Sequence, residues 1–155
     1  MGEPDDNTID VSPLTMVRII WGFGLLGLVT ITAVVSVVFA GDPDQALVSD
    51  SWVPLVVASG LLAVMVPAAY FVRNQIYKSH WEGDAVTPEG YLRGNFVFMA
   101  MLELPVLAGV AAIFLTASVW PTVVPVVAAA GAGLANFPTG EPMNPAAPRL
   151  GVGEK

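Results

Sequence analysis

The sequence predicts an all-α, polytopic integral membrane protein whose four transmembrane helices form an antiparallel bundle. Three observations carry that reading. Hydrophobic residues make up 55% of the 155-residue chain and charged residues only 12%, about half the charged share of an ordinary soluble domain. Four apolar runs come close to the roughly 20 residues needed to cross a hydrocarbon core about 30 Å thick. On a four-span path, all six basic residues fall on the same side.

Residues 1–15 are acidic and poor in apolar side chains, so they are expected to be a flexible tail that cannot bury enough surface to offset its own entropy. They make a poor cleaved signal peptide. The leading part is acidic and the following apolar run is too long, despite a "VFA" ending at Ala40. The membrane domain, residues 16–136, holds spans at about 16–40, 53–72, 94–116 and 119–135. The fourth is the shortest and contains Pro121 and Pro125. Segments of this length in lipid must satisfy their backbone internally and are read as helices; the alternating ten-residue strands of a membrane barrel are not found. Residues 137–155 are rich in proline and glycine and are expected to form a second flexible tail.

Charge sets the expected orientation. Arg18, Arg73, Lys78, Arg93, Arg149 and Lys155 lie at the N-terminus, in the loop 73–93 and in the C-terminal tail. The opposite loops carry only Asp42, Asp44 and Asp50. The positive-inside rule then places both termini in the cytoplasm, for a multi-pass protein of the cell's inner (cytoplasmic) membrane. Tryptophans and tyrosines near the span ends, such as Trp52, Trp81 and Trp120, suit the two interfaces.

Several motifs fail on context. Gly22-Phe-Gly-Leu-Leu-Gly27 matches G-x-G-x-x-G but lies inside an apolar helix, where no strand-to-helix turn can present a phosphate site. Close helix packing explains it better. Gly22, Gly24, Gly27, Gly60, Gly131 and Gly133 are accordingly expected to be packing positions. The chain has one histidine and no cysteine, which leaves no metal-ligand set and no catalytic triad. A net charge of -7 without a basic patch argues against nucleic acid. No enzymatic activity, cofactor or metal is expected.

Glu103 stands out. It lies within "FMAMLELPVLAG", about 15 Å into the third span at 1.5 Å per residue, with no Lys or Arg nearby on that helix. A lone charged carboxylate at that depth costs several kcal/mol, so the residue calls for a role. Pro105 follows it, freeing the Met101 carbonyl and kinking the helix. Two readings are open: an ion or proton site, or a neutral acid that hydrogen-bonds a neighbouring helix.

The stretch "FVFMAMLELPVLAGVAAIFLT" resembles the carboxylate-bearing helix of the proteolipid (rotor-ring) subunit of rotary ATPases, with Gly109 six positions after Glu103. The likeness covers about residues 54–116 and implies a hairpin that moves protons or sodium ions through Glu103, Pro105 and Gly109. The chain departs from that pattern in its long loop, in its glycine-rich first helix and in its two additional spans. It is also similar to small uncharacterised four-span bacterial membrane proteins with a Phe-Pro pair after the last helix, here Phe137 and Pro138; that likeness implies no activity. The expected function is a non-enzymatic helical subunit or scaffold of a membrane complex. The alternative is a proteolipid-like ion-translocating element. The expected partners are the lipid bilayer and other transmembrane helices, as a homo-oligomer or within a larger complex.

Overall fold

The computed structural model describes residues 12–39, 47 and 52–144. Among these, the chain forms α1 (Pro13–Phe39), α2 (Trp52–Ser79), the hairpin strands β1 (Trp81–Glu82) and β2 (Ala85–Val86), α3 (Pro88–Thr116) and α4 (Trp120–Ala135), and ends in a short 3₁₀ turn, Glu141–Met143. Helix accounts for 84% of the described residues, as expected of an all-α protein. Helices α1, α2 and α3 are long and apolar enough to cross a membrane; α4, at 16 residues, is a shorter apolar helix.

Local chemistry sets the helix ends. The Thr15 N–H bonds to the Ser12 hydroxyl just ahead of Pro13, and the Thr87 hydroxyl accepts from the Gly90 N–H just ahead of Pro88. Each is a hydroxyl cap followed by a proline whose missing N–H costs nothing there. At the other end of α3, Ala117 turns left-handed (φ 50°) and its N–H closes on the Ile113 carbonyl at 2.8 Å.

Helices α2 and α3 run well past the apolar segments. The loop expected at 73–93 is therefore mostly helical, and the actual turn is residues 80–87. There Trp81 pairs with Val86 and Glu82 with Ala85, while Gly83 supplies the positive φ (58°) that a two-residue hairpin turn needs. We call this the hairpin end. The basic side chains among the described residues, Arg18, Arg73, Lys78 and Arg93, all lie towards it.

Helix α3 is the hub, packing on α1, α2 and α4, whereas α1 and α2 scarcely touch. In their most apolar stretches, half of α3 is buried but only 11% of α1 and of α2. The buried stripe of α1 is Val17, Trp21, Leu28 and Val35; the last three join Phe98, Leu102, Val106 and Ile113 of α3, while Val17 packs with Val86 and Tyr91 at the hairpin end. Trp21 stacks on Phe98 with centroids 5.7 Å apart, Tyr70 meets Phe98 edge-on at 5.0 Å, and Phe39 tilts against Phe114 at 4.5 Å. Helix α4 joins through the Thr122 hydroxyl, which donates to the Gly109 carbonyl at 2.8 Å.

The chain after α4 does not leave the helices at once. Pro138 is buried, the Gly140 N–H donates to the Tyr91 hydroxyl at 3.0 Å, and Met143 packs with Val17, Val86 and Tyr91. Part of the expected tail, through Asn144, is thus seated on α1 and α3, because its apolar residues find a pocket that only the folded helices create. The remaining parts of both expected tails, 1–11 and 145–155, lie outside the described residues, as do Asp42, Asp44 and Asp50.

Candidate functional site

Glu103 sits near the middle of α3, half-buried, at the seam with α1. Its Oε1 lies 3.6 Å from where a Cβ on Gly24 would stand, and the Met99 Cε lies only 2.7 Å from that point. The bare backbone of Gly24 thus makes the recess into which Met99 and Glu103 fit. The outward residues of α3 around the acid are exposed and apolar: Ala100, Leu104 and Leu107. Among the described residues Glu103 forms no hydrogen bond or ion pair. A carboxylate so placed can meet a donor, a proton or a cation arriving from outside the chain.

The residues expected to work with it separate. Pro105 and Gly109 are both buried, Pro105 among the largest core residues and Gly109 under Thr122 of α4. Six residues of helix rotate Gly109 well away from Glu103, so the two do not share a face. Pro105 shapes the helix beneath the acid.

The packing glycines divide as well. Gly24 and Gly133 are close-contact sites inside the chain; a Cβ on Gly133 would come within 2.6 Å of Leu25 Cδ2. Gly22, Gly27, Gly60 and Gly131 have open space where a Cβ would stand. They are small residues on the outer surface.

A second cluster, at the hairpin end, went unread in the sequence. Arg73 projects from α2 between Tyr70 and Tyr77, with its guanidinium carbon 4.4 Å from the Phe98 ring centroid, 5.1 Å from Tyr70 and 6.0 Å from Tyr77. Its Nη2 donates to Asn136 Oδ1 at 3.0 Å, and its Nε is buried without a partner. The Asn136 amide in turn donates to the Tyr70 hydroxyl and to the Ala132 carbonyl. Asn95 Nδ2 ties Tyr77 OH and the Tyr91 carbonyl, each at 2.8 Å, beneath the stacked Tyr77–Tyr91 pair. Arg18 Nε donates to the Pro138 carbonyl at 3.0 Å, with its guanidinium 5.9 Å from the Phe137 ring centroid. Tyrosines three before and four after Arg73 were the available signal, since that spacing puts all three on one helical face. His80, the lone histidine, is held by local bonds to Ser79 and the Ile76 carbonyl. Comparison with protein-family models, curated proteins and solved structures finds no match to this chain.

Proposed function

We propose that the chain is a non-enzymatic, four-span subunit of a membrane complex that binds other transmembrane helices through the α1–α3 seam. The observation that supports this is Glu103: a mid-helix carboxylate, open to the outside, with no partner among the described residues. Polar groups facing lipid are costly, and a helix offering a donor at the same depth removes that cost. The outward Gly27, three residues along α1 from Gly24, would let such a helix approach closely.

In this reading α4 is the fourth span. Its 16 residues measure about 24 Å at 1.5 Å per residue, and the seated segment after it fills the remaining depth at the hairpin end. The described basic residues then face the cytoplasm with both termini. The partner follows from charge: a second copy would bring another carboxylate to Glu103, so a different helix carrying a Lys, Arg or amide at mid-depth is the better complement.

Glu103 also supports a second reading, because an open carboxylate beside a proline-interrupted helix can exchange a proton or sodium ion with its surroundings. Dicyclohexylcarbodiimide separates the two. An exchanging acid reacts with it and is protected by the bound ion, whereas an acid covered by a partner helix is inert in the complex and reactive only after the partner is removed. The main test is purification in mild detergent with a photo-crosslinker at Gly27: a crosslink to another membrane protein, lost in Glu103→Ala, is expected. Crosslinks to lipid alone would overturn the subunit reading.

A further inference from the structure

We infer that Arg18 and Arg73 together form a binding site for a phosphate group at the hairpin end, taken from an anionic phospholipid or from a soluble phosphate. The two guanidiniums converge on consecutive residues, Arg73 on Asn136 and Arg18 on Phe137 and Pro138. Among the described residues every partner they have is neutral: an amide oxygen, a peptide carbonyl and four ring faces. Neither arginine forms an ion pair among the described residues, although Glu141 is only three positions beyond Pro138.

Arginine carries five N–H donors in a planar fork, and phosphate oxygens suit that fork better than any single carbonyl does. Among the described residues each guanidinium spends one donor on the protein, and the buried Nε of Arg73 has no acceptor. Ring faces offset part of the cost of holding a cation there but do not neutralise it. Two guanidiniums held on the consecutive residues Asn136 to Pro138, with no ion pair among the described residues, are an electrostatic vacancy for an anion. Basic pockets between membrane helices at the cytoplasmic face take phospholipid head groups by this chemistry. Lys78 and Arg93, which are exposed and make no such contacts, supply the comparison.

The test uses the full chain in phosphatidylcholine nanodiscs with or without phosphatidylglycerol, with native mass spectrometry counting retained lipid. A parallel arm compares thermal stability in inorganic phosphate and in chloride at equal ionic strength. Retention of phosphatidylglycerol over phosphatidylcholine identifies the lipid source, and stabilisation by phosphate identifies the soluble one; either supports the site. Arg18→Gln and Arg73→Gln should each weaken binding about tenfold, the loss of a charge-assisted hydrogen bond to phosphate, while Lys78→Gln and Arg93→Gln have clearly smaller effects. If Arg73→Gln does not fold, Arg18→Gln carries the comparison, since Arg18 is exposed. Equal weakening by Arg93→Gln, or no preference in either arm, would overturn the proposal. So would binding that appears only after Asp5, Asp6 and Asp10 are changed to Asn, which would assign the pair to the chain's own acidic leader.

Discussion

The indole N–H of Trp21 donates to the Gly133 carbonyl at 3.1 Å, so one side chain of α1 grips α4 while its ring lies stacked on Phe98 of α3. Trp21→Phe keeps the stack and removes the bond. The Gly133 carbonyl still accepts from the Asn136 N–H, so nothing is orphaned and the cost should be about 0.6 kcal/mol, the average for hydrogen bonds between membrane helices. Trp21→Ala also opens a cavity and should cost about 3 kcal/mol. Reversible unfolding in mixed detergent measures both; equal losses would mean that the ring adds nothing beyond its N–H.

Valine at the glycines sorts inward from outward positions. Gly24→Val and Gly133→Val force side chains into Met99 and Leu25 and should destabilise the chain by about 1–3 kcal/mol. Gly27→Val and Gly131→Val meet open space and should stay within about 0.5 kcal/mol of the parent. A crosslinking assay at the α1–α3 seam should respond in the opposite order: Gly27→Val lowers capture of the partner even though the chain itself is stable.

Glu103→Gln keeps shape and hydrogen bonding but removes ionisation. Insertion and assembly should survive it, because taking away a possible charge makes the helix easier to bury. Glu103→Ala should cost about 1 kcal/mol of association through the lost interhelical bond. Ion flux measured in proteoliposomes should be absent in the parent and in both variants. Flux in the parent that Glu103→Gln abolishes would replace the subunit reading with the ion-exchange one. A Gln variant that fails to insert would mean the ionised form is needed for the fold.

Topology reporters address the orientation. Fusions after Lys155 or near Trp81 should read cytoplasmic, and one near Asp44 should read outside, because the described basic residues gather at the hairpin end. An outside signal after Lys155 would remove α4 as a span if Trp81 still reads cytoplasmic, and would reverse the orientation if Trp81 also reads outside.

Apolar runs located the helices but not their ends. Hydropathy marks where a chain would leave hydrocarbon, whereas helices continue for as long as the backbone stays hydrogen-bonded. Arg73, Asn74, Gln75, Tyr77 and Lys78 therefore extend α2 despite their polarity. The Thr87–Pro88 start of α3, six residues before the expected span, rests on local chemistry, the Thr87 hydroxyl capping the Gly90 N–H. Asn136 was not legible, since its worth depends on Arg73 and Tyr70, 63 and 66 positions away. Glu103 could be singled out by its cost alone, but that it faces Gly24 and not α2 needed the packing of α3 against α1.

The placement of α3 between helices that scarcely touch each other orders the events of synthesis. The first two helices have almost nothing to hold each other with, so their native packing waits until the ribosome has made the third. Tertiary structure begins only when Phe98 reaches Trp21 and Tyr70, and it is completed last of all by Asn136 to Met143 closing over the two arginines. A nascent chain stalled after α2 would therefore present both helices to quality-control proteases, with no native contact yet available to shield either one.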